Sequence, residues 1–76
     1  MTVGELEDRF LAELLRAHGG TRRRWRLVLG RIRLHDVATH PHCNWSIAPH
    51  GGAAENEATE GVADELRARH PIITAD

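Results

Sequence analysis

The chain has 76 residues, enough for one domain. A domain of this size buries only about 60% of its unfolded surface, so its stability margin is thin and dimerisation or a bound metal would raise it. Its 41% apolar and 28% charged residues exclude wholesale disorder, and no apolar run approaches the roughly 18 residues of a membrane span.

The N-terminus is acidic and amphipathic, with neither the basic start nor the apolar stretch of a secretory leader. Cys43 is the only cysteine, so no internal disulfide framework exists. These features predict a cytoplasmic protein that does not engage a membrane. The net charge of −1 is unevenly spread. Residues 1–19 carry four acids against two arginines, residues 20–42 six arginines against Asp36, and residues 43–76 six acids against two arginines. The pattern is acidic, basic, acidic.

Thr2 and Glu5 have the spacing of a capping box. Leu6, Phe10, Leu14 and His18 then recur at intervals of four, with Leu11 and Leu15 beside them. This is one apolar stripe at helical period, and Gly19-Gly20 ends it as a C-cap would. A helix is predicted over residues 4–18.

In the next stretch Trp25, Leu27 and Leu29 alternate with Arg24, Arg26 and Val28, which is the period of a half-buried strand. Ile32 and Leu34 alternate on the other parity. A two-residue turn at Gly30-Arg31 brings both sets to one face, with Leu29 opposite Ile32 and Leu27 opposite Leu34. Glycine at the first turn position suits a type II′ turn. A β-hairpin is therefore predicted, the alternative being one long strand with a bulge at Gly30. Its outer face would hold Arg24, Arg26, Val28, Arg33 and His35, extended by Arg22 and Arg23.

Residues 37–42 read as a loop. Cys43, Trp45 and Ile47 alternate with Asn44, Ser46 and Ala48, giving a third strand that Pro49 ends. A second helix is predicted over residues 53–69, with Ala54, Ala58, Val62 and Leu66 as its stripe. Glu55, Glu57 and Glu60 sit early in it and Arg67, Arg69 and His70 late, both complementing the helix dipole. Pro71 stops it.

The predicted fold is thus a two-layer α+β domain of order α-β-β-β-α, a three-stranded antiparallel sheet with two helices on one face. Its core would be Leu6, Phe10, Leu14, Trp25, Leu27, Leu29, Ile32, Leu34, Trp45, Ile47, Val62 and Leu66. This order is similar to that of double-stranded-RNA-binding domains and of small toxin ribonucleases that share the topology. Such RNA-binding domains place a Lys-rich cluster at the start of the second helix, where this chain has Gly51-Gly52-Ala53-Ala54-Glu55-Asn56-Glu57. The toxins use a strand histidine soon after a glycine turn, to which His35 is a loose counterpart with no role carried over.

Three readings of function follow. The first is a non-enzymatic protein-interaction module, engaging a partner or itself through Arg22, Arg24, Arg26, Arg33 and His35. The second is nucleic-acid binding by the same face, since guanidinium pairs well with phosphate oxygens. Trp25 is directed to the core on this register, so stacking on bases is not expected. The third is zinc, because imidazole and thiolate are its preferred ligands and His40, His42, Cys43 and His50 lie on or near one loop. Their spacing is not that of a zinc finger.

Catalysis is not expected. Cys43 with His40 or His42 and Asn44 has the composition of a nucleophile, base and orienter, but no Gly-rich phosphate loop, paired acidic motif or nucleophile elbow is present.

Overall fold

Chain order in the computed structural model, which describes residues 1–76, is α1 (Val3–His18), α2 (Arg22–Leu29), β1 (Arg33–Leu34), β2 (Trp45–Ser46) and α3 (Ala53–Arg69). The first helix follows the sequence closely. Thr2 Oγ1 accepts from the Glu5 N–H at 3.1 Å, and the Glu5 carboxylate accepts from the Thr2 N–H at 3.0 Å. These bonds satisfy two amides at the helix start and hold Glu5 below the usual carboxylate range. Leu6, Phe10, Leu11 and Leu14 are fully buried on its inner face.

The second element overturns the hairpin. Residues 22–29 are helical, capped by the Thr21 hydroxyl, which accepts from the Arg24 N–H at 3.1 Å. The helix ends at Gly30, whose φ of +66° suits glycine. Trp25 and Leu29 share a face at period two and at period 3.6 alike, so the alternation fits both structures. Val28 and Leu27 decide between them. Val28 is 1% exposed and Leu27 is 61% exposed, the helical outcome and the reverse of the strand one. An eight-residue helix is marginal alone, so this one depends on packing Trp25, Val28 and Leu29 against its neighbours. It packs on both α1 and α3.

The order is therefore α-α-β-β-α, and the three-stranded sheet with two helices on one face is not formed. The only sheet is a two-stranded antiparallel ladder pairing Arg33 with Ser46 and Leu34 with Trp45. With the first strand replaced by a helix, the likeness to the double-stranded-RNA-binding topology also lapses. Of the expected core, Leu27 and Leu34 are exposed and Ile47 is half-buried, while Leu11, Val28, Ala63 and Ile73 join it.

The third helix begins and ends as its dipole-matched charges predict. The core is a three-helix cluster onto which Trp45 packs from β2. The Trp45 ring meets Phe10 edge-on at 5.7 Å, its Nε1 donates to the His70 carbonyl at 2.9 Å, and the Arg67 guanidinium lies over the ring, 5.0 Å from its centroid. The termini are tied together. Thr2 bridges Thr74, and the Gly4 N–H donates to the Asp76 carboxylate at 2.7 Å, placing a negative charge at the start of α1.

Candidate functional site

Because residues 22–29 are helical, Arg22, Arg24 and Arg26 do not form one face of a strand. Each is neutralised within the molecule. Arg22 Nη2 lies 2.6 Å from Asp8, and Arg26 Nε 3.3 Å from Glu7. Arg24 donates twice to Glu55, at 2.9 and 2.7 Å. These pairs strap α2 to α1 and to α3. The Arg24 guanidinium, with the Gly52 N–H second, pulls the Glu55 carboxylate down to about 2.

The remaining basic residues of this stretch come together elsewhere. Past Gly30 the chain is extended and alternates Arg31 exposed, Ile32 buried, Arg33 exposed. With Ile32 anchored in the core, Arg31 and Arg33 are both presented outward. They line a cleft of about 420 Å³ together with Leu34, His35, Ala48 and His50. Neither arginine makes an ion pair, in contrast to Arg22, Arg24 and Arg26. No acidic side chain lines the cleft.

The two histidines are held from the backbone. The His35 N–H donates to the Asn44 carbonyl at 2.7 Å, and its Nε2 shares a 2.7 Å hydrogen bond with Ser46 Oγ. The His35 ring stacks on His40 with centroids 4.3 Å apart. The His50 N–H donates to the Val28 carbonyl at 2.8 Å, and its ring lies so close to Gly30 that a Cβ there would sit 2.8 Å from Cδ2. Gly30 thus does two things: it ends α2 and admits one wall of the cleft.

The zinc candidates are not gathered. His40 Nδ1 bonds the Thr39 hydroxyl at 2.9 Å, Cys43 Sγ donates to the Trp45 carbonyl at 3.4 Å, His42 is exposed on the loop, and His50 faces the cleft. No three histidine, cysteine, aspartate or glutamate side chains are grouped as a metal site would need. No helix is long and apolar enough to cross a membrane.

No family model, curated protein or solved structure matches this chain. The cleft must therefore be read from its own chemistry. It unites Arg33 and His35 from the expected partner face with His50 from the zinc candidates. It adds Arg31, which the hairpin reading places in a turn. The signal for Arg31 is present in the sequence as the alternation Arg31, Arg33, His35, but it is visible only once the helix is known to end at Gly30.

Proposed function

We propose that this chain is a non-enzymatic interaction module that binds an acidic segment of a protein partner in the cleft of Arg31, Arg33, His35 and His50. The observation that supports it is the contrast among the arginines: Arg22, Arg24 and Arg26 on α2 are spent on carboxylates of the same chain, whereas Arg31 and Arg33 are exposed and unpaired together on a concave surface. A guanidinium pairs bidentately with a carboxylate, which gives geometry as well as charge. Two features favour a protein over a nucleic acid. Phe10, Trp25 and Trp45 are all buried, and the chain has no tyrosine, so no large aromatic ring is exposed for bases to stack on. Acidic side chains on α1 and α3 would also repel a long phosphate backbone. The cleft is the anchor of a larger contact, since a standard interface buries about 800 Å² per partner.

Backbone NMR titration at low salt tests this. A hexaglutamate peptide is expected to shift the Arg31, Arg33, His35 and His50 amides, and the Arg31→Glu/Arg33→Glu variant to abolish the shifts. Arg22→Glu/Arg26→Glu should leave them intact. Absence of any response, or tighter binding of a short RNA duplex than of the peptide, refutes the reading.

A further inference from the structure

The outward face of α2 and the groove between α1 and α3 are complementary. Leu27 is the most exposed large apolar side chain of the molecule. Arg23 lies one turn before it on the same side of the helix and makes no ion pair. The whole of α2 carries four arginines and no acid.

The groove has a volume of about 530 Å³. Ala54, Ala58 and Gly61 are the small residues along it, and nothing lies within 4 Å of where a Gly61 Cβ would be, so the floor is open. Its rim carries Glu57 and Glu65, neither of them in an ion pair, while Glu13 and Arg16 neutralise each other. The uncompensated charge is therefore negative beside an apolar depression, the inverse of Arg23 beside Leu27.

We infer that the groove receives α2 of a second copy of this chain, with Leu27 over Ala58 and Gly61 and Arg23 against the rim glutamates. Knob and groove are different surfaces, so the contact is head-to-tail and not two-fold symmetric. Each added copy brings another free knob and another free groove, and the assembly grows or closes into a ring. The accessible surface is 4763 Å², of which about 800 Å² would go into a standard interface. A single leucine knob with one flanking arginine buries less, so association depends on concentration and salt. This inference does not rest on the basic cleft.

Light scattering on the full chain over a concentration series at low salt tests it. The wild type should show a mass that rises past twice the monomer. Leu27→Asp keeps the groove and loses the knob; Glu57→Arg/Glu65→Arg keeps the knob and loses the groove. Each alone should be monomeric. Their equimolar mixture should stop at a dimer of one copy each, a result that only a head-to-tail contact gives. The changed residues are exposed, and unaltered circular dichroism checks that both variants fold. Arg23→Glu gives a second route: it should be monomeric and regain association when mixed with Glu57→Arg/Glu65→Arg. A wild type that stays monomeric, variants that still associate, or mixtures that remain monomeric would overturn the inference.

Discussion

Asn44 and Ile73 exchange a pair of hydrogen bonds across 29 positions of sequence: the Ile73 N–H donates to Asn44 Oδ1 at 2.9 Å, and Asn44 Nδ2 donates to the Ile73 carbonyl at 2.7 Å. Asn44 is 3% exposed, and its own N–H donates to the Pro71 carbonyl at 3.0 Å. The side chain imitates a β-strand partner for the C-terminal segment and lets Ile73 enter the core with its backbone satisfied. Asn44→Ala strands two buried backbone groups, each worth about 1–3 kcal/mol. Urea unfolding followed by tryptophan fluorescence should record a loss of about 3 kcal/mol. A loss under about 1 kcal/mol would mean water replaces the side chain at no cost.

The helical assignment of residues 22–29 makes opposite claims for two adjacent residues. Val28→Ala removes buried methyl groups and should cost about 2 kcal/mol. Leu27→Ala removes exposed ones and should change stability by less than about 0.5 kcal/mol. A strand at this place reverses the order, so the pair of melting curves decides it.

This contrast also explains what the sequence could and could not disclose. The first and third helices were legible because their stripes run over four turns and are bounded by end signals, Thr2 with Glu5 and Gly19 for α1 and Pro71 for α3. The middle element is too short for periodicity to separate the two structures. Trp25 and Leu29 satisfy both, and Gly30 reads equally well as a turn residue or a C-cap. The surrounding fold settled it, through Asp8, Glu7 and Glu55 pairing with arginines that a strand would have displayed together. The same error hid the cleft: Arg33 and His35 were visible as candidates, while Arg31 depended on where the helix stopped. The Asn44–Ile73 pairing left no sequence trace, because a lone asparagine in an apolar run does not announce its partner.

Gly30 and Gly19 both have positive φ, +66° and +71°, but their surroundings differ. A Cβ at Gly30 would sit 2.8 Å from His50, whereas one at Gly19 meets nothing within 4 Å. Gly19→Ala should therefore show only the backbone penalty, about 1–3 kcal/mol. Gly30→Ala should cost more, and His50→Ala in the same chain should narrow the gap. Equal costs at the two sites would mean that the His50 ring does not rest against Gly30. The double variant also links fold to function, since His50 displaced from Gly30 alters the cleft wall.

Glu55 ties pH to stability through α2. Its carboxylate accepts from Arg24 and from the Gly52 N–H, and these bonds lower it from its ordinary 4.5 to about 2. The folded value lies below the unfolded one, so the stabilisation is fully present above the ordinary value and is lost as pH falls through about 2. Glu5 and Glu13 are also lowered, by Thr2 and Arg16 respectively, and act in the same direction. Urea midpoints measured from pH 6 down to pH 2 should fall for the wild type. Glu55→Gln should start lower at pH 6 and fall less steeply, the residual slope coming from the other carboxylates. Parallel curves would mean that Glu55 titrates alike in the folded and unfolded chains, and that the strap between α2 and α3 does not depend on its charge.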